Sequence, residues 1–486
     1  MAESLSKKMG KGIFWKFFEK IGTELIALVV SIILARILLP EDYGVVVICS
    51  IFIAFFSIFF NHGLNQALIR KQNTDDVDYS TVFYTEVALS VFFYFVIFFL
   101  APVFASFFNT KNIELLTVVI RVIALRIPIL ALSSVQSSII SKKLEFKKFF
   151  YISLVGTILS GVVGITMALK GYGVWALVVQ SLTNSFVDMI FLFILSKWLP
   201  KLTFSFSRLK ELSLIAYKYF LVGLIDTIYE KLRELIIGSK YTLAELSYYN
   251  QGKKYPRLLA TNVNGALAGV LFPAFSSISN SKERLKKEAR KMLILMSFIL
   301  FPCILGFAVI GESFIKLVLT EKWLFALPFL YIYLTVALFS PIHAITRQIL
   351  KVEDGKAFLI VDLIKKGIGL VALLVSLWFG VIYIALSSMI VAFINLIFNL
   401  ILNQKYIGYK VIEQLKDFVP SLLLSFVMSA LLVLISFIPM AYYLVMILQI
   451  IVGVIFYFVF SKVFKLKGRN LLLSSIKSLT KKDAKN

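Results

Sequence analysis

Long uninterrupted apolar runs constrain this chain more than any other feature. One of them, residues 91–100, reads VFFYFVIFFL and contains no charged side chain. The strands of a membrane barrel alternate apolar and polar residues, whereas a helix in lipid satisfies its own backbone, so such runs are typical of membrane helices. The chain is 59% hydrophobic and 16% charged, against about 45–50% and about 25% in soluble domains. We therefore predict an all-α integral membrane protein.

About fourteen stretches have the length and apolar character of a transmembrane helix, which needs about 20 residues. The predicted spans are 13–38, 43–64, 79–108, 113–140, 149–169, 174–195, 212–237, 246–275, 292–310, 323–349, 357–379, 381–402, 418–437 and 441–464. The least distinct separation between two spans lies near Gly380.

The basic residues indicate an orientation, because short loops rich in Lys and Arg are retained in the cytoplasm. Most basic residues outside the spans lie in the even-numbered loops and at the two termini. The odd-numbered loops hold few of them: Arg36, Lys111, Lys170, Lys240, Lys316 and Lys322. This asymmetry predicts that both termini are cytoplasmic. It also accounts for the net charge of +24 without a nucleic-acid partner.

The two halves of the chain resemble each other. With a shift of 204 positions, Arg36 falls on Lys240. With a shift of 208 positions, the Lys-x-Glu sequence at 143–145 falls on the one at 351–353. Six spans per half preserve the orientation of each half, as in parallel repeats about an axis along the membrane normal. We predict two pseudo-symmetric six-helix lobes followed by two further helices with a basic cytoplasmic tail, at 1–202, 208–405 and 406–486.

No motif for catalysis or for metal binding occurs in the sequence. The chain has two cysteines, Cys49 and Cys303, both within apolar runs, and two histidines, His62 and His343. This supply allows neither a disulfide framework nor a metal site. We predict no catalytic residue, no metal ligand and no cofactor.

Charged residues inside the spans carry the functional signal, because a charge at mid-membrane costs about 2.5–3.5 kcal/mol on insertion scales. In three spans they share one helical face: Lys16, Lys20 and Glu24; Asp226, Glu230, Arg233 and Glu234; and Asn250, Lys253, Lys254 and Arg257. Two interpretations are open. The charges neutralise one another, as Glu230 with Arg233 or Glu234 with Lys231, and the lysines of the first span snorkel to headgroups. Alternatively, they face a central cavity.

The segment between the first two spans, LARILLPEDYG at 34–44, completes a known pattern. With fourteen spans in two six-span halves, the chain resembles bacterial polysaccharide flippases of the multidrug/oligosaccharidyl-lipid/polysaccharide exporter superfamily, in the O-antigen, colanic acid and teichuronic acid branch. The resemblance implies a non-enzymatic transporter in the bacterial cytoplasmic membrane. Such a protein moves undecaprenyl-diphosphate-linked oligosaccharides across the membrane by alternating access, among membrane lipids and polysaccharide assembly proteins.

The resemblance also indicates a basic central cavity. The related lipid II flippases use basic residues in spans 1 and 8, and the matching positions are Lys16 or Lys20 and Lys253 or Arg257. The candidate substrate-binding residues are Lys16, Lys20, Arg233, Asn250, Lys253, Lys254 and Arg257. Candidate residues for coupling to a proton or sodium gradient are Glu24, Asp226 and Glu230.

Two alternative functions fit parts of this pattern. A multidrug exporter of the same superfamily would bind organic cations, and the cations of the eighth span disfavour it. A membrane polysaccharide polymerase or ligase generally presents a large outer loop with catalytic Arg and His, and the predicted outer loops are short.

The predicted topology can be tested by labelling single cysteines at Lys111, Lys170 and Lys322 in a variant that lacks Cys49 and Cys303. All three positions lie in odd-numbered loops, so a membrane-impermeant maleimide should label them from outside intact cells. Protection of any two of them until the cells are lysed would contradict the topology.

Overall fold

The computed structural model describes residues 22–110, 112–278 and 281–474, without the side chains of 61, 62, 265–274 and 277. Throughout these ranges the chain forms helices joined by short turns, and no strand occurs in them. The helices are α1 (22–37), α2 (Pro40–Ile58), α3 (Asn65–Arg70), α4 (Asp76–Ser106), α5 (Ile113–Ile123), α6 (Arg126–Lys142), α7 (Phe146–Leu169), α8 (Val174–Ser196), α9 (Phe206–Lys240), α10 (Leu243–Ser277), α11 (Lys282–Phe314), α12 (Leu327–Leu338), α13 (Ser340–Glu353), α14 (Gly355–Ser376), α15 (Val381–Ile407), α16 (Val411–Ile435), α17 (Tyr442–Val463) and α18 (467–474). The predicted all-α fold is confirmed.

Eleven helical segments of the described chain are long and apolar enough to cross a membrane. Some predicted spans are divided. The span 113–140 becomes α5 and α6, and the span 323–349 becomes a 3-10 turn, α12 and α13. Pro341 lies at the start of α13, where a missing backbone N–H is tolerated. The chain is therefore a multi-pass membrane protein whose helices contain kinks that hydropathy does not reveal.

Three of the fourteen predicted spans are not among these eleven. The first includes residues 13–21, and the eighth includes the side chains of 265–274, both of which lie outside the described residues. The eleventh lies on α14, whose middle carries three charged side chains, Asp362, Lys365 and Lys366. The number fourteen stays a prediction.

The chain divides into two compact units between Ser247 and Tyr248, within α10. The first unit contains α1 to α9 and the second contains α11 to α18 with most of α10. In the second unit α16 and α17 pack against α11. The predicted six-helix lobes, 1–202 and 208–405, and the C-terminal segment 406–486 stay a prediction.

Glycines on one face of α7 let α8 approach closely within the first unit. A Cβ atom on Gly156 would overlap the Asp188 carboxylate, and one on Gly164 would contact the Gln180 side chain too closely. On an adjacent part of the helix, a Cβ on Gly161 would overlap Val30 of α1. Small residues of this kind are typical of helix packing in membranes, where van der Waals contact between backbones drives association.

A loop ion-pair cluster, defined by Lys71, Asp75, Asp78, Arg208 and Glu211, joins the start of α4 to the start of α9. Lys71 Nζ lies 3.1 Å from both Asp78 Oδ1 and Glu211 Oε2, and Arg208 Nη2 lies 3.3 Å from Asp75 Oδ2. Asp78 is fully buried, whereas Glu211 is half exposed. The Asp78 backbone N–H donates to Asp75 and holds the pKa of that carboxyl below its usual value. The cluster fixes where α9 begins relative to α4.

We expect Asp78→Ala to destabilise the protein much more than Glu211→Ala. Removing Asp78 deletes the buried acid of the cluster and leaves Lys71 with only the half-exposed Glu211 as its acidic partner among the described residues. Breaking a buried pair typically costs about 3–5 kcal/mol, whereas an exposed pair contributes about 0–1 kcal/mol. Thermal unfolding of the two purified variants in detergent measures the difference. Equal shifts of the unfolding midpoint would show that the cluster is not a structural anchor.

Candidate functional site

Helix α10 carries four of the candidate residues in the second unit. It is one 35-residue helix that continues through Pro256. Asn250, Lys253 and Arg257 follow one another at i, i+3 and i+7, so they lie on one face of this helix. Lys253 is partly exposed and Arg257 is exposed. Of the predicted stripe, Asn250, Lys253 and Arg257 share this face, whereas Lys254 lies at its edge. That these residues bind a substrate stays a prediction.

Two tyrosines bracket the Lys253 ammonium group. Its Nζ lies 5.6 Å from the ring centre of Tyr249 and 6.0 Å from that of Tyr333 on α12. The two hydroxyl oxygens lie 2.5 Å apart, and Tyr333 Oη lies 3.4 Å from Ser388 Oγ on α15. The faces of aromatic rings attract a cation through their quadrupole. The tyrosine bracket, Tyr249 and Tyr333, therefore positions the ammonium group through contacts with its two rings.

The other cations of α10 have different surroundings. Lys254 Nζ lies 5.8 Å from the ring of Tyr255, whose ring also contacts Phe314 with centres 5.2 Å apart. The backbone carbonyl of Arg257 accepts a hydrogen bond from Thr261 Oγ1 at 2.7 Å. Lys254 thus lies beside an aromatic cluster, whereas the exposed Arg257 continues the Lys253 face of the helix.

The candidates on α9 belong to the first unit. Asp226 is half-buried, Glu230 is exposed and Arg233 is buried. Arg233 lies over the ring of Tyr229 at 5.4 Å. Their relation to a substrate or to a coupling ion stays a prediction.

One of the ion pairs weighed from the sequence is present on α9. Lys231 Nζ lies 2.7 Å from Glu234 Oε2, and Glu234 is buried. Lys231 also lies 3.5 Å from Ser50 Oγ on α2. For Glu234, mutual neutralisation is therefore the correct interpretation.

The candidates of the first predicted span are only partly described. Lys16 and Lys20 lie outside the described residues. Glu24 lies on α1 and is half-buried.

The sequence analysis missed a buried carboxyl group in the first unit. Glu86 on α4 is fully buried and accepts a hydrogen bond from Ser134 on α6. Its second carboxylate oxygen, Oε1, has no hydrogen-bond partner among the described residues. The available signal was a single acid inside the predicted span 79–108.

A second missed cluster lies in the second unit, where Lys365, Asn399 and His343 come together. The Lys365 ammonium donates to Asn399 Oδ1, and Asn399 Nδ2 lies 3.5 Å from His343 Nδ1. Lys365 is buried, with a relative exposure of 9%. The three residues lie on α14, α15 and α13, so no local spacing pattern could have predicted them as a cluster.

No metal-binding site is evident in the described part of the chain. There, no three His, Cys, Asp or Glu side chains lie close enough together to hold an ion.

The family is decided by a match that covers more than half of the chain. Residues 33–328 match the family model described as polysaccharide biosynthesis protein. The chain belongs to this family. The predicted relationship to bacterial polysaccharide biosynthesis proteins is thereby confirmed.

This polysaccharide biosynthesis family member is similar to several named proteins of polysaccharide biosynthesis, among them ExoT and WzxC. The succinoglycan biosynthesis transport protein ExoT of Rhizobium meliloti (strain 1021) is 24% identical over 325 residues, which are 67% of this chain and 65% of ExoT. The lipopolysaccharide biosynthesis protein WzxC of Escherichia coli (strain K12) is 22% identical over 341 residues, or 69% of this chain and 68% of WzxC. The match thus spans slightly less than two thirds of ExoT.

The fold is similar to that of a solved flippase. The lipid II flippase MurJ, in an inward closed conformation, superposes with a TM-score of 0.77 at 15% sequence identity. The superposition covers 92% of this chain and 98% of MurJ. At this identity the similarity establishes the fold alone.

Proposed function

We propose that the protein flips undecaprenyl-diphosphate-linked oligosaccharide units from the inner to the outer leaflet of a bacterial cytoplasmic membrane, for polysaccharide biosynthesis. The observation that carries this proposal is Lys253 in its tyrosine bracket, on a predicted span of a polysaccharide biosynthesis family member. The names of ExoT and WzxC support a saccharide substrate, and MurJ supports a lipid-linked one. Both termini are cytoplasmic in this proposal.

The chemistry of the substrate explains why cations are needed. A lipid diphosphate is an anion that must cross a hydrocarbon layer about 30 Å thick. Ammonium and guanidinium groups form charge-assisted hydrogen bonds to phosphate oxygens, about twice as strong as neutral ones. Lys253 and Arg257 would hold the diphosphate from one helix face, and Asn250 would add a neutral donor. The lipid tail would stay in the bilayer.

The remaining candidate cations take secondary roles in this proposal. Lys254 and Arg233 contribute positive potential, and Lys16 or Lys20 supplies the contribution of the first span. The two halves would rock about the bound diphosphate and expose it to each side in turn, as in other repeat-built transporters. Polysaccharide assembly proteins would receive the flipped unit.

Coupling to an ion gradient forms a further part of the proposal. The sequence offers Glu24, Asp226 and Glu230 as acids that bind a proton or sodium ion, and the structure adds Glu86. Its carboxyl group is sealed between α4 and α6 with one oxygen unpartnered within the described chain. A group in this position exchanges a proton with water only when the two helices separate. Glu86 would thereby link proton exchange to a conformational change.

We expect Lys253→Ala to lower surface glycan about tenfold or more at unchanged membrane abundance, the loss expected for a charged hydrogen bond. Lys253→Arg should retain part of the activity because the positive charge remains. The measurement is glycan export alongside protein level in a strain lacking the native gene. Lys322→Ala, in a predicted outer loop, is the matched control. Full export by a Lys253→Ala, Arg257→Ala double variant at normal abundance would remove both residues from the site.

We expect Glu86→Gln to abolish the dependence of export on a proton gradient, because the amide keeps an acceptor for Ser134 and cannot exchange a proton. Export should be followed in inverted membrane vesicles with imposed pH gradients. Ser134→Ala serves as the control because it removes the hydrogen bond and keeps the carboxyl group. A wild-type response of Glu86→Gln would exclude Glu86 and leave the Gln variants of Glu24, Asp226 and Glu230 to be compared in the same assay.

A further inference from the structure

A groove of about 900 Å³ lies in the second unit between the first turns of α11 and the helix α18. Among its lining residues are five basic side chains and one acidic side chain: Lys286, Lys287, Arg290, Lys291, Lys467 and Glu283. The proposed transport site does not include any of them. The concentration of cations indicates a ligand that carries negative charge.

Acidic partners hold three of the five cations in place. Arg290 contacts the Asp417 carboxylate through two nitrogens, at 2.7 and 3.0 Å. The other two pairs are Lys286 with Glu413 and Lys291 with Glu288, both at 2.6 Å. Lys287 and Lys467 are exposed, and neither has a carboxylate oxygen within 4 Å among the described residues. The groove therefore has fixed walls and two cations whose charge is available to a ligand.

The close packing of α18 against α11 requires glycine at position 468. A Cβ atom on Gly468 would overlap the side chain of Phe298, which is itself buried in the core of this unit. Leu466 and Leu472 pack against the same core. Lys467, the residue before Gly468, lines the groove. Close packing at Gly468 thus brings a basic side chain of α18 next to the basic turns of α11.

The groove lies where two apolar helices end. Ile294, a buried lining residue, marks the point on α11 after which the helix is almost entirely apolar up to Gly311. Helix α17 ends at Val463, only a few residues before Lys467. A site at this level lies beside the headgroup region of a bilayer, where basic pockets between helices recruit anionic lipid heads.

We propose that this groove binds the phosphate headgroup of an anionic phospholipid, with Lys287 and Lys467 as the two groups that grip it. The phosphate chemistry is shared by inorganic phosphate. A lipid is favoured because Leu471 and Ile294 offer an apolar surface beside the cations. The inference is independent of the transported substrate. Its failure would leave the proposed flippase function unaffected.

Native mass spectrometry of the full chain tests the proposal, with dioleoyl phosphatidylglycerol and dioleoyl phosphatidylcholine as probes. The Lys287→Gln, Lys467→Gln double variant should bind phosphatidylglycerol about tenfold or more weakly, for two cations near a lipid surface. Its weak binding of phosphatidylcholine should not change. The matched control is Arg284→Gln, Lys462→Gln, which removes two exposed cations from α11 and α17 without altering the groove lining.

Three results would overturn the proposal. The first is unchanged phosphatidylglycerol binding in the Lys287, Lys467 variant. The second is an equal loss in the Arg284, Lys462 control, which would reflect net charge alone. The third is displacement of bound phosphatidylglycerol by millimolar inorganic phosphate while the binding of phosphatidylcholine stays unchanged. That result would identify a site for free phosphate. Selective loss in the Lys287, Lys467 variant, with thermal unfolding unchanged, supports the lipid site.

Discussion

The free-energy cost of a charge among apolar helices governs how this chain is built. In the described structure several buried charges have a specific compensation. Asp78 pairs with Lys71 at a helix start, Glu234 pairs with Lys231, and Lys365 donates to an amide oxygen. Lys253 lies against two aromatic ring faces. A cation–π contact of this kind leaves the formal charge of the ammonium group in place.

The fold follows from the same constraint and could largely be predicted. A helix is the secondary structure that satisfies its own backbone hydrogen bonds in lipid, so apolar runs of sufficient length identify helices directly. Breaks within helices could not be predicted in the same way. The span 113–140 divides near Ala124 and Leu125, four residues before Pro128, which has no N–H to bond the Ala124 carbonyl. Hydropathy registers the length of such a span and carries no information about its kink.

The part of the candidate site that lies on one helix could be predicted from the sequence. The parts that several helices contribute could not. The stripe of Lys253 and Arg257 follows from helical spacing alone. Tyr333, the far side of the bracket, comes from a helix that lies 80 residues further along the chain than Lys253. Ser134 is likewise 48 residues from Glu86. Contacts of this kind depend on tertiary packing, which the spacing of residues in one sequence does not reveal.

The central claim is that the protein moves a lipid diphosphate, and translocation in proteoliposomes tests it most directly. A fluorescent polyprenyl-diphosphate oligosaccharide, a polyprenyl monophosphate and a fluorescent phosphatidylcholine would be reconstituted separately with the purified full chain, and a membrane-impermeant quencher would report the leaflet of each probe. The account predicts protein-dependent transfer of the diphosphate oligosaccharide, much slower transfer of the monophosphate and none of phosphatidylcholine. Equal transfer of all three lipids, or no transfer of the diphosphate, would contradict it.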